Sequence, residues 1–192
     1  VTENTTNYMA TGMYIYNCDG NTSGERTLIA NNMVKAYGKA IDLQSTNYAD
    51  IYYNTLINTY TAAAMSYGTL YINQPSEMNV KNNIITNTSG GRLISKSNSS
   101  NLSFDYNMYY GGSTSYGFYS NNNPSVNGDF EDWQAAGPDA NGVLQVPQFY
   151  ANGDGFHLGT TNDLATPLTA VTVDYDGEPR DETTPDIGAD EY

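Results

Sequence analysis

The chain has 192 residues, which is enough for one domain with a substantial core. Its formal net charge is −14, and 14 of its 21 Asp and Glu residues lie within 129–192, so phosphate backbones are repelled and nucleic-acid binding is disfavoured. No apolar run approaches the ~20 residues that a membrane-spanning helix needs.

The predicted elements begin with a strand over residues 13–17 (MYIYN), followed by a polar loop. From Leu28 to Tyr119 one pattern then recurs four times: an apolar residue, an Asn-containing corner, two apolar residues, a small-residue turn and another short strand. The copies read LIANNMV…GKAIDL, IYYNTLI…GTLYI, VKNNIIT…GGRLIS and FDYNMYY…YGFYS.

The spacing of the corner asparagines indicates a solenoid. They stand at intervals of 22, 29 and 24 residues, and a period in the twenties with strands inside each unit is typical of a β-solenoid. Hairpins are the alternative, but the two-residue Asn-Gly or Asp-Gly connections of a meander are missing between the strands. We therefore predict an all-β fold, a parallel β-helix of about four to five rungs over residues 1–120. The corner residues are Asn32, Asn54, Asn83 and Asn107.

These asparagines have an expected structural role. Asn tolerates left-handed backbone geometry at a corner, and stacked Asn side chains can hydrogen-bond from one rung to the next. The alternative is that they are unrelated loop residues in an Asn-rich chain.

The repeat stops at about residue 121, and we predict that residues 121–192 form an irregular, acidic C-terminal cap of the same domain. An open solenoid end exposes apolar side chains and unpaired strand edges. The segment contains apolar residues that could cover that end: Trp133, Leu144, Val146, Phe149, Phe156, Leu158 and Ile187.

The rungs resemble the right-handed parallel β-helix, pectate-lyase-like superfamily. Three runs of the cap, FEDWQAAGPDANG, VPQFYANGDGFHLG and DYDGEPRDETTPDIGADEY, look like the C-terminal end of secreted bacterial β-helix repeat proteins, many of them surface-anchored. The resemblance covers nearly the whole chain and is most specific over residues 174–192. It implies export and a carbohydrate-related or adhesive role, but no particular reaction, because this fold hosts enzymes and adhesins alike.

Catalytic residues are hard to find in the rungs. A polysaccharide lyase needs a Lys or Arg to take the α-proton of a uronate, and Arg92 and Lys96 could project from one strand for that purpose; the alternative is that both are solvated strand charges. Paired carboxylates of a glycoside hydrolase are missing. The only histidine, His157, is expected to be a packed, hydrogen-bonded residue of the cap.

The densest acidic group is a candidate calcium site. Asp174, Asp176, Glu178 and Asp181 offer oxygen ligands in a Gly-containing loop. The alternative is structural: Arg180 could pair with Asp186 or Asp190 and hold the tail in place.

Tyrosine is abundant, with 18 residues in the chain. If exposed tyrosines stack one per rung, at about 4.8 Å per step, they could form a platform for sugar rings. Candidates are Tyr53, Tyr71, Tyr110 and Tyr119. Ordinary core packing is the alternative.

The leading functional prediction is a non-catalytic β-helix segment of a secreted or cell-surface bacterial protein, serving in adhesion, in glycan contact or as a rigid scaffold. It requires no cofactor apart from the possible calcium, and it is expected to continue N-terminally into further rungs. The alternative is a fragment of a polysaccharide lyase acting on uronate-containing glycans.

Overall fold

The structure is a computed structural model that describes residues 2–3, 11–22, 24–60, 68–98, 100–113, 115, 117–151 and 156–192. The strands are β1 Thr2–Glu3, β2 Met13–Tyr16, β3 Thr27–Ala30, β4 Met33–Ala36, β5 Ile41–Gln44, β6 Ala49–Tyr52, β7 Thr55–Asn58, β8 Leu70–Asn73, β9 Ser76–Lys81, β10 Ile84–Asn87, β11 Ile94–Ser97, β12 Ser100–Asp105, β13 Met108–Gly111, β14 Phe118–Ser120 and β15 Val143–Leu144. A 3₁₀ turn, Pro124–Val126, precedes the short helix α1, Phe130–Ala135.

The strands form three sheets, and every pairing between named strands is parallel. Sheet 1 has the order β1-β4-β7-β10-β13-β15, sheet 2 the order β14-β11-β8-β5-β2, and sheet 3 the order β12-β9-β6-β3. From β2 to β14, neighbours in each sheet are three strands apart in sequence, so the chain visits the three sheets in turn. This arrangement is consistent with a parallel β-helix and confirms the prediction of an all-β fold. We call one passage through the three sheets a rung.

Side chains alternate between an inner and an outer position along each strand, and the inner ones stack in columns. One such column in sheet 3 consists of Ile29, Ile51, Val80 and Phe104. The inner residues of all three sheets belong to one buried cluster. Burying each aliphatic side chain contributes roughly 1.5–3 kcal/mol, so the core is the main source of stability.

The three corners of a rung differ in length. The connection from sheet 1 to sheet 2 has four, eleven, six and six residues in successive rungs (37–40, 59–69, 88–93 and 112–117). Between β3 and β13, the connection from sheet 3 to sheet 1 is always two residues. The unequal repeat intervals therefore arise mainly at one corner, because the connections there differ most in length.

The corner asparagines form a ladder along the two-residue connection. Each side-chain amide donates to the side-chain oxygen of the next: Asn32 to Asn54 (2.8 Å), Asn54 to Asn83 (2.9 Å) and Asn83 to Asn107 (2.9 Å). Asn107 donates in turn to Asp139 Oδ2 (2.8 Å). The ladder thus binds adjacent rungs together and ends at a carboxylate.

We expected the ladder asparagines themselves to adopt the left-handed backbone conformation, but the residue before each of them does so. The left-handed φ values belong to the preceding residues, Asn31 (54°), Tyr53 (51°), Asn82 (58°) and Tyr106 (57°). The preceding residue makes the bend, and the ladder asparagine then bridges to the next rung.

Helix α1 covers one end of the core. Asp129 caps it, with its side chain accepting from the Asp132 backbone amide. Trp133 is fully buried; its ring stacks on Phe118 (4.9 Å between centroids) and meets Phe104 edge-on (5.1 Å). A short amphipathic helix thus provides the apolar cover that an open end needs.

Residues 156–192 lie along the outer side of sheet 1 and not over the open end that the sequence predicts them to cover. Ile187 is fully buried and packs in a cluster with Tyr53, Ile84 and Met108. The backbone follows closely, because Ala189 N donates to Thr55 Oγ1 (3.0 Å). Sheet 1 is therefore covered on both faces. Two predicted cap residues, Leu144 and Val146, are exposed instead.

Arg180 holds this tail in place. Its guanidinium is buried and donates to Glu191 Oε2 (3.2 Å), to Gly188 O (3.0 Å) and to Asn31 Oδ1 (3.1 Å). It also lies over the Tyr53 ring, 3.9 Å from the centroid. The expected ion pair of Arg180 is therefore made with Glu191 and not with the carboxylate of Asp186 or Asp190.

Within the described ranges, no helix is both long and apolar enough to cross a membrane.

Candidate functional site

The outer side of sheet 2 combines aromatic rings, charges and amides, and we call it the tyrosine face. Its central row follows the strand register, with one residue from each of β2, β5, β8, β11 and β14: Tyr14, Asp42, Tyr71, Ser95 and Tyr119. A second row contains Tyr16, Gln44, Asn73 and Ser97. Lys39 and Arg92 join it from the connections that precede β5 and β11.

The alternation of the strands explains why these residues face outward. In β5, Ile41 and Leu43 point into the core, so Asp42 and Gln44 must point away from it. Tyrosines in the central row recur every second strand, which places them about 10 Å apart at a strand spacing of about 4.8 Å. The face therefore presents flat rings at regular intervals with polar groups between them.

Two cations lie on rings of this face. Lys39 Nζ is 4.2 Å from the Tyr71 ring centroid, and Arg92 Cζ is 3.8 Å from that of Tyr119. Lys39 Nζ also pairs with Asp42 Oδ2 at 2.5 Å. Such cation–π contacts restrict the positions of both partners. The tyrosine face therefore carries two ordered positive charges, although the protein as a whole has a net negative charge.

The accessible rings lie at the N-terminal edge of the face. Tyr14 is 61% exposed and Tyr16 is 54% exposed. Their rings are nearly parallel, at 5°, with centroids 6.3 Å apart. Both rings are therefore accessible from solvent and lie parallel to each other.

The four tyrosines predicted as a sugar platform do not share one face. Tyr71 and Tyr119 belong to the tyrosine face. Tyr53 is fully buried under the tail, its hydroxyl donating to Thr166 O (2.8 Å), and burial raises its pKa to about 12. Tyr110 is on β13 in sheet 1. The prediction is wrong for Tyr53 because this residue lies in a corner between β6 and β7 that the tail covers.

The two lyase candidates also separate. Arg92 lies just before β11 at the edge of the tyrosine face. Lys96 occupies an inner position, in register with Leu43 and Ile72 of the core column. Its Nζ is 5.6 Å from the Trp133 ring centroid, and burial lowers the pKa of Lys96. The expectation that both project outward from one strand is therefore wrong.

No three of the predicted calcium ligands have oxygen atoms within 4.8 Å of one another. Asp174 is buried, and its Oδ1 accepts from the backbone amides of Asp176 and Glu178 (2.9 and 2.8 Å). Asp181 Oδ1 accepts from the amides of Thr183 and Thr184 (2.7 and 2.8 Å). Hydrogen bonds to these backbone groups account for Asp174 and Asp181, which shape turns.

Asp176 has a different set of neighbours, one that the sequence did not predict. Its Oδ2 lies 3.0 Å from His157 Nε2, and both groups lie close to Asp190. The three residues are 14 to 33 positions apart and share no spacing motif. Only the folding of the tail along sheet 1 brings them together.

Comparison with protein-family models, with curated proteins and with solved structures finds no match for this chain.

Proposed function

We propose that this protein is an extracellular or cell-surface bacterial scaffold, a right-handed parallel β-helix of the pectate-lyase-like kind, whose tyrosine face binds glycans. The handedness is supported by the strong preference of parallel crossover connections for the right hand. Export and surface location are supported by the resemblance of the three C-terminal runs, above all residues 174–192, to secreted β-helix proteins.

The tyrosine face is the observation that carries the glycan proposal. Sugar rings present flat patches of C–H groups edged by hydroxyls, and they need an aromatic surface next to hydrogen-bonding groups. Tyr14 and Tyr16 supply the aromatic surface. Gln44 and Asn73 supply amides from the next two strands of the sheet, in register with Tyr16. The rigid stacking of strands keeps these groups in place, so little conformational entropy is lost on binding.

A binding assay with matched tyrosine variants tests the proposal. Affinity electrophoresis through a panel of neutral and acidic polysaccharides identifies a ligand, and titration calorimetry gives its Kd. The double variant Tyr14→Ala/Tyr16→Ala should weaken binding at least tenfold, since each lost ring contact is worth about 1 kcal/mol. Both side chains are exposed, so the fold should be retained.

Two tyrosines away from the face provide the control. Tyr150 and Tyr192 are 57% and 67% exposed, and the variant Tyr150→Ala/Tyr192→Ala should bind as the unmodified protein does. The proposal fails if no polysaccharide binds, or if the two double variants lose affinity equally.

The lyase alternative now has fewer candidate residues, because Lys96 occupies an inner position. Arg92 remains next to Tyr119, and Lys39 with Asp42 and Tyr71 lies on the same face. Unsaturated products from alginate, pectate or chondroitin, lost in Arg92→Ala, would favour the enzyme. Binding without such products supports the scaffold.

A further inference from the structure

The histidine of the tail and two carboxylates meet at one point. One ligand atom from each of His157, Asp176 and Asp190 lies within 4.8 Å of the other two. No other group of three such residues occurs in the part of the chain that the structure describes. We infer that these side chains form a binding site for a divalent metal ion of the zinc type.

Asp190 is held in place by one backbone contact and keeps acceptor capacity for a cation. It is only 6% exposed, and its Oδ2 accepts from Leu158 N at 2.6 Å. A carboxylate offers about four acceptor positions, and this hydrogen bond occupies one of them.

The charges around the site point in the same direction. Asp174 and Asp176 both place negative charge near Asp190, whereas His157 supplies positive charge only when it is protonated. Bringing these carboxylates together is unfavourable without a positive charge, and the nearby imidazole of His157 can accept a metal at one ring nitrogen. A divalent cation would balance the carboxylates and use the imidazole as a ligand.

The donor set selects the kind of metal. Calcium takes six to eight oxygen ligands, whereas one imidazole nitrogen with two carboxylate oxygens suits zinc. Zinc lies about 2.0–2.2 Å from such ligands, which puts the ligand atoms about 3.3 Å apart. The spacing in the structure therefore needs only small side-chain rotations.

A metal here would act as a clamp. Its ligands come from three segments of the tail, around residues 157, 176 and 190. Since metal binding favours the folded state by mass action, zinc should stabilise the tail against detachment from sheet 1.

The test uses the full chain after treatment with a chelator. Calorimetry with Zn²⁺ should show one site per chain. At a free Zn²⁺ concentration of 100 Kd, the Tm should rise by roughly 5–10 °C. Co²⁺ in place of Zn²⁺ should give visible d–d absorption. His157→Gln and Asp176→Asn, both at partly exposed side chains, should each weaken Zn²⁺ binding at least about tenfold.

The control is Glu182→Gln, which removes one exposed negative charge from the same tail and should bind Zn²⁺ normally. The inference is overturned if the stripped protein shows no saturable Zn²⁺ binding, or if His157→Gln binds as the unmodified chain does. It is also overturned if Ca²⁺ alone stabilises the protein and Glu178→Gln, but not His157→Gln, removes that effect.

Discussion

At the scale of single residues, the asparagine ladder depends on buried side chains that each make several hydrogen bonds. Asn83 accepts from the backbone and side-chain amides of Asn54, and it donates to Ile51 O and Asn107 Oδ1. It is completely buried, so water cannot replace a lost partner.

We expect Asn83→Ala to lower the free energy of unfolding by about 2–4 kcal/mol, because several buried groups lose a partner at once. Asn73→Ala is the control, since Asn73 is only half-buried and makes one long contact with Gln44 (3.5 Å). Urea denaturation of both variants measures the effect. Equal losses of stability in the two would contradict a special role of the ladder.

The ladder's terminal residue, Asp139, should make stability depend on pH. Burial raises the pKa of its carboxyl from 3.8 to about 6, although hydrogen bonds from Tyr109 and Asn107 oppose the shift. The folded state therefore holds the proton more tightly than the unfolded chain does. Stability from this group is complete below about pH 4 and is lost as the pH rises towards 6.

Asp139→Asn isolates this effect, because Asn also tolerates the left-handed backbone at this position (φ 54°). Between pH 4 and 7, the stability of the unmodified protein should fall relative to the variant by up to about 3 kcal/mol. Chemical denaturation at a series of pH values measures this difference. A difference that does not vary with pH would show that the carboxyl is already ionised at pH 4.

At the scale of elements, the C-terminal third has two separate structural roles. Trp133 of α1 packs with the main core, whereas Ile187 of the tail packs on the outside of sheet 1. The two clusters have no residue in common.

We expect Trp133→Ala to cost about 3–5 kcal/mol and Ile187→Ala about 2–5 kcal/mol. The double variant should show the sum within about 0.5 kcal/mol, because the sites share no packing partner. Denaturation curves of the three variants test this. A strongly non-additive result would mean that the end cover and the flank cover are one unit.

At the scale of the whole molecule, the sequence predicts the strands well because their signal is local. The four repeats place a strand on each side of every corner asparagine, and the structure has strands there. Which surface each part of the C-terminal segment covers was not predictable. Ile187 and Trp133 are both apolar residues in turn-rich sequence, and nothing near them in the chain says whether they cover an end or a flank.

The candidate sites show the same limit. Tyr71 could be placed on an outer row from its alternation with Leu70 and Ile72. The burial of Tyr53 depends on residues more than 100 positions away, and the meeting of His157 with Asp190 depends on the path of the tail. Contacts of that range leave no periodic trace in the sequence.

The charge distribution follows from this arrangement of the tail. Residues 156–192, which contain nine Asp and Glu residues and one basic residue, Arg180, lie along sheet 1, whereas Lys39 and Arg92 lie on the tyrosine face of sheet 2. An acidic polymer would therefore be repelled from the tail and would approach the tyrosine face more favourably.

The asparagine ladder also has a direction. An asparagine side chain both donates and accepts, so it can pass a hydrogen bond onward, whereas an ionised aspartate can only accept. An added rung would therefore leave the hydrogen bonds within the row from Asn32 to Asn107 intact, since every added asparagine reproduces the contacts of its neighbours. Asp139 accepts the hydrogen bond from Asn107 and passes none onward, so the row ends there. The ladder alone would thus allow rungs to be duplicated, whereas the tail contacts Asn31, Thr55 and Asn82 on successive rungs and so fixes the number of rungs that it spans.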